Sequence, residues 1–154
     1  MISSPDTVIL GDELMELVRE RLSQGHKVRY LPFAGISMLP MLRQKKDSVE
    51  LAPLPEKLKK YDLPVYRYPN GKYIMHRIVA VKEDHYLCLG DNTWEYETIY
   101  PDMLVGVVSA FKRGDKRIEV TAWHYRMYSR IWVASYPLRK VLMRFKKWLR
   151  RFIK

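Results

Sequence analysis

The sequence predicts a mainly β body, preceded by a short helix and followed by a basic amphipathic helical tail. Three observations carry that expectation. Between residues 27 and 120, short runs rich in Val, Ile, Leu and Tyr alternate with Pro, Gly, Asn and Asp, the pattern of short strands joined by close turns. Residues 12–24 instead place Leu14, Leu17, Val18 and Leu22 at helical spacing. From Thr121 onward the chain holds ten Lys/Arg and no Asp/Glu, with apolar residues recurring every third or fourth position.

In chain order, Asp12 suits the start of the first helix and Gly25 its end. A short acceptor side chain can bond the free amides at a helix N-terminus, and glycine tolerates the left-handed backbone just past the C-terminus. This helix is expected to cover one edge of the body with Leu14, Leu17, Val18 and Leu22. A strand-like run over 27–33 leads into Gly35-Ile36-Ser37-Met38-Leu39-Pro40, and Ser48-Val49-Glu50-Leu51 forms another run. Pro53 and Pro55 interrupt the chain, and Pro64 and Pro69 flank Val65-Tyr66-Arg67-Tyr68. Asn70-Gly71 then signals a hairpin into residues 73–81, the strongest strand in the sequence, with His76 in its middle. Glu83-Asp84 turns the chain into a run over 85–89, which Gly90-Asp91-Asn92 breaks. Residues 104–111 and 116–120 read as a last hairpin around Arg113-Gly114-Asp115. In the tail, Pro137 is expected to split the helix, since proline interrupts or starts helices. After it, Leu138, Val141, Leu142, Phe145, Trp148, Leu149, Phe152 and Ile153 share one face, opposite Arg139, Lys140, Arg144, Lys146, Lys147, Arg150, Arg151 and Lys154.

The 154 residues, 47% hydrophobic and 29% charged, fit a folded domain with a real core and not a disordered chain. The formal net charge of +11 is unevenly spread. With ten of the 28 Lys/Arg in the tail, residues 1–120 carry 18 basic against 17 acidic residues, a net of +1. The body therefore gives no ground for nucleic-acid binding. The expected division is a body over 1–120 (helix 12–24, β body 27–120) and a basic helical tail over 121–154. The lone cysteine, Cys88, excludes an internal disulfide and, in an apolar run, is expected to be a buried inert thiol. Acidic Asp6, Asp12 and Glu13 come early, unlike a secretory signal, and no apolar run reaches the length of a spanning helix. A cytoplasmic protein, peripheral at the membrane, is expected.

Ser37 is a small hydroxyl among apolar neighbours. It is either a hydrogen-bonded core serine or a nucleophile, and a nucleophile needs a base, an orienting group and an oxyanion donor. Of four histidines, His26 and His124 are expected to face solvent and His85 lies beside a turn; His76, mid-strand, is by itself more often a structural residue and is a candidate base only through the short signatures around it and Ser37. No Cys/His spacing suggests zinc and no glycine-rich loop suggests a phosphate site, so no metal or cofactor is expected. Tyr61, Tyr66, Tyr68 and Tyr73 read as sheet-packing residues.

Gly-Ile-Ser-Met-Leu-Pro at 35–40, Tyr-Ile-Met-His-Arg-Ile-Val at 73–79 and Gly-Asp-Asn at 90–92 resemble, in order and spacing, the motif boxes of type I signal peptidases and their LexA-like relatives. The resemblance covers residues 27–112. It implies the family's β-ribbon body, a nucleophile at Ser37 just before methionine, and a general base at His76 just before arginine. Histidine at that position is similar to the endoplasmic-reticulum and archaeal subtype. It implies Asp91 as the acid that orients His76, with Glu97, near the position of a further acidic box, as the weaker choice. Asp91 could equally cap the backbone of its own turn. The Ser37 backbone N–H is the expected oxyanion donor. The chain departs from the family at Gly35, where some members carry a serine, and at Lys46-Asp47, where a Gly-Asp is usual, making Asp47 a structural candidate. The usual N-terminal membrane anchor is not apparent.

The function these features imply is a serine endopeptidase with a Ser/His mechanism, acting on extended segments of peptides or proteins with small residues before the cleaved bond. Two alternatives stand beside it: a non-catalytic peptide- or membrane-binding module on the same fold, and a self-cleaving LexA-type regulator. No DNA-reading domain is evident before residue 27, which puts the regulator last. For the tail, residues 138–154 can pack on the body, lie in an anionic membrane surface or bind nucleic acid. The broad apolar stripe disfavours the last, since phosphate binding needs no apolar face.

Overall fold

The computed structural model describes residues 8–9 and 11–153. β1 (Val8–Ile9) precedes α1 (Asp12–Ser23), and β2 (Val28–Leu31) and β3 (Phe33–Ala34) lead to the serine segment. β4 (Asp47–Ala52), β5 (Pro64–Arg67), β6 (Tyr73–Met75), β7 (Arg77–Val81), β8 (Tyr86–Leu89) and β9 (Glu97–Ile99) come next in the chain. β10 (Leu104–Arg113) and β11 (Lys116–Glu119) then lead to α2 (Trp123–Ala134) and α3 (Tyr136–Phe152). The result is a β body flanked by helices at both ends, as the turn-punctuated pattern predicts.

The strands form two sheets. The larger runs β2-β4-β10-β5-β6-β1-β3, with β11 paired to β10, and the smaller runs β7-β8-β9. The larger path starts and ends on strands separated in the chain by Pro32 alone, so the sheet curls back on itself. Pro32 also explains why the run over 27–33 is not one strand: it has no N–H to give a ladder and divides the run between opposite ends of the sheet. β10 is the hub. Its first half pairs with β5 and its second with β4 and β11. The Tyr68–Gly71 turn that joins β5 to β6 closes through Gly71 N–H to the Tyr68 carbonyl at 2.9 Å, with Gly71 at φ +86°. That left-handed angle is the reason glycine follows Asn70.

The main core lies between the larger sheet and α1, which buries Met15, Val18 and Leu22, each worth about 1.5–3 kcal/mol. Leu17, expected on that face, is exposed, and Met15 takes its place. A second core, containing Tyr66, Ile74, Ile78, Cys88 and Ile99, fills the space where the two sheets meet. Cys88 is fully buried there, and burial, then the nearby Glu97 charge, push its thiol far above the ordinary range.

Contrary to the expectation from the sequence, residues 73–81 are not a single strand. β6 belongs to the larger sheet and β7 to the smaller one, and His76 is the unpaired residue at the junction. The apolar pattern runs through both pieces, β6 being buried and β7 buried at its start and half-buried beyond, so periodicity alone does not reveal the change of sheet. α2 packs on the body through Tyr125, and α3 begins at Tyr136, with Pro137 in its first turn as expected. Among the described residues, no helix is long and apolar enough to cross a membrane.

Candidate active site

Ser37 sits in the turn after β3, fully buried. Its carbonyl accepts the Asn92 backbone N–H at 2.7 Å, and Asn92 Nδ2 donates to the Ile36 carbonyl at 3.2 Å. The Gly-Asp-Asn turn after β8 thus clamps the serine turn on its backbone. Gly90 makes the approach possible: a Cβ there would lie 2.8 Å from the Ser37 carbonyl oxygen and 2.8 Å from Thr93 Cγ2. At the far end of the serine segment, Asp47 accepts bonds from Arg43 and from the Gly114 N–H, the structural role expected for it.

The sheet junction brings the base to the serine. His76 Nε2 lies 2.9 Å from Ser37 Oγ, and His76 Nδ1 lies 2.7 Å from Glu97 Oε2 on β9. A charged carboxylate can only accept, so Glu97 holds the ring proton on Nδ1 and leaves Nε2 as acceptor for the Ser37 hydroxyl. Burial alone would raise the Glu97 carboxyl. Hydrogen bonds from His76, Tyr66 and Tyr68, with the histidine's charge, outweigh it and hold the carboxyl below its ordinary value. Tyr66 donates to the same Glu97 oxygen that meets His76. Burial, then the Glu97 charge, push the Tyr66 phenol well above its ordinary range, so it stays protonated and serves as a donor.

Asp91, the first-choice acid, is elsewhere. Both its oxygens bind Arg77, at 2.8 Å to Nε and 2.8 Å to Nη2, and Tyr128 donates to it at 3.0 Å. Arg77 also donates to Tyr125 and Ser129 of α2, each at 2.9 Å. Burial works against the Arg77 charge, but Asp91 more than compensates and raises the guanidinium above its ordinary value. The physical reason for the correction is the arginine. A guanidinium is permanently charged and, when buried, takes the nearest bidentate carboxylate for itself. The sequence did carry a signal: a cation inside an apolar run right after the candidate base implies two acids, one for each. The roles of Tyr66 and Tyr68 on Glu97 had no such signal, because alternating tyrosines in strands look like packing.

No protein family, curated protein or solved structure matches this chain. The site therefore stands on its geometry. Glu97 and His76 open onto a cleft of about 750 Å³, whose wall includes Tyr68, Trp94 and Tyr96. Gly35, where a side-chain oxyanion donor would sit, has its N–H bonded to Gln44 Oε1 at 3.0 Å.

Proposed function

We propose that this protein is a serine endopeptidase of the signal-peptidase type, with Ser37, His76 and Glu97 as its triad and a body of the signal peptidase/LexA-like fold. The observation that carries the reading is the unbroken chain from Ser37 Oγ through both ring nitrogens of His76 to Glu97, with both contacts under 3 Å. The motif resemblance in residues 27–112 supports it independently. In the reaction, Ser37 Oγ attacks the carbonyl carbon of the scissile peptide while its proton passes to His76 Nε2. The C–N bond breaks as His76 returns that proton to the leaving amine. Water, with His76 again as base, then releases the acyl group from Ser37. Glu97 stabilises the imidazolium, and the Ser37 backbone N–H is the oxyanion donor. The cleft beside Tyr68, Trp94 and Tyr96 is where an extended peptide would lie, with small residues before the cleaved bond.

A second reading, a non-catalytic peptide-binding module, has the full burial of Ser37 in its favour. A fluorophosphonate probe separates the two. The peptidase reading expects covalent labelling of the wild-type chain that is lost in Ser37→Ala and in His76→Ala. Equal signal in wild type and Ser37→Ala, including none in either, would sink it.

A further inference from the structure

We infer that α3 is an interfacial helix that lies in the surface of an anionic membrane. The helix splits into two parts. Its first turn is fixed to the body: Tyr136 OH donates to the Trp94 carbonyl at 2.6 Å, and Arg139 Nη1 donates to the Asp91 carbonyl at 3.0 Å while stacking over Trp132. From Val141 to Ile153 every residue is exposed. That exposure includes a continuous stripe with Phe145, Trp148 and Phe152 at its centre, ring against ring at 5.8 and 4.7 Å. A stripe of this size left in water is unfavourable by the same apolar area that stabilises the cores, so something is expected to cover it.

The opposite face selects the occupant. Between Tyr136 and Phe152 there are seven Lys/Arg and no acidic residue. A second copy of the helix would set two such rows beside each other with no carboxylate to pair them, so self-association is disfavoured. Nucleic acid would neutralise the charge but leave the aromatic stripe in water. An anionic bilayer satisfies both faces, with rings among the acyl chains and cations at the headgroups. Because the root of α3 is held on the Trp94 and Asp91 carbonyls, a helix lying in lipid keeps the cleft wall close to the membrane surface. On the peptidase reading, on which this one consequence rests, the substrates are peptide segments presented at that surface.

Vesicle flotation of the full chain tests the inference. Vesicles of phosphatidylglycerol and phosphatidylcholine are expected to carry the protein, salt to release it, and phosphatidylcholine alone to bind it at least tenfold more weakly. The double variant Phe145→Glu/Trp148→Glu is expected to lose tenfold or more. The variant Lys146→Gln/Lys147→Gln/Arg150→Gln is expected to lose about a hundredfold. These positions are all exposed, so thermal unfolding of the body should be unchanged. Flotation unaffected by either variant overturns the inference, as does a lipid-free dimer abolished by the aromatic variant, or duplex DNA binding without vesicle binding. Ser37→Ala should float like wild type, so failure of the tail and failure of the serine chemistry are read separately.

Discussion

His76 and Arg77 are neighbours in the chain, each bonded to a carboxylate, yet the two pairs do different work. Glu97 keeps 18% of its side chain exposed, and its partner His76 reaches on to Ser37. Asp91 keeps 2% and meets an arginine whose other hydrogen bonds go to Tyr125 and Ser129 of α2, to Met41 Sδ and to the Tyr61 carbonyl. One pair contains an imidazole with one nitrogen that donates and one that accepts, and opens onto a cleft; the other contains a permanent cation and is sealed. The first can move a proton, and the second can only hold elements together. The chemistry of the base in each pair, more than the distance along the chain, decides which acid is placed to support proton transfer and which is structural.

The sharpest way to break this contrast is to neutralise each acid in turn. Glu97→Gln offers an amide whose NH₂ can face Nδ1 and favour the wrong tautomer, so the rate of Ser37 labelling is expected to fall on the order of a thousandfold or more, with a smaller loss of stability than Asp91→Ala, from weakened bonds to the tyrosines. Asp91→Ala is expected to leave the Ser37–His76 contact in place but to cost about 3–5 kcal/mol in urea unfolding, since it strands a buried guanidinium. Replacing the pair together, as Arg77→Met/Asp91→Leu, should recover most of that loss, because two apolar groups owe no desolvation penalty. If Asp91→Asn instead folds normally and labels a thousandfold more slowly while Glu97→Gln labels normally, the assignment of the two acids is reversed.

Gly90 joins the two regions, since it precedes Asp91 and touches the Ser37 carbonyl. Gly90→Ala is expected to push the serine turn away from the Gly-Asp-Asn turn, costing about 1–3 kcal/mol of stability by overpacking and slowing labelling several-fold. Wild-type stability and rate in this variant would mean that the clamp does not position the nucleophile.

The β body, the split tail and the Ser37–His76 pairing were legible in the sequence because each leaves a local mark: turn residues at strand ends, Pro137 at a helix start, and short boxes around the two side chains. The acid was not, because the sequence does not show that the fold brings Arg77 to Asp91 and His76 to Glu97. β9, which carries Glu97, is three residues long and has no alternation to announce it. The break at His76 was hidden for a related reason, since a continuous apolar run looks the same whether it stays in one sheet or crosses to another.

The smallest expected effect is the finest probe of the open pair. Tyr66→Phe removes one donor from Glu97 and leaves His76 and Tyr68 bonded to it, at a cost of about 1.5 kcal/mol for a bond to a charged group. Glu97 lies below its ordinary value of 4.5 in the folded chain. Its stabilising contribution is therefore complete above that value and is lost as pH falls through the lower folded one. Losing the Tyr66 hydroxyl raises the folded value toward the ordinary one, so the loss of stability on acidification still begins near the ordinary value but is smaller and is complete at a higher pH. The same shift should appear when the Glu97 carboxyl is titrated directly by carbon NMR. An unmoved Glu97 titration in Tyr66→Phe would show that His76 and Tyr68 alone set the charge of the acid, and that Tyr66 is there only to fill the junction between the sheets.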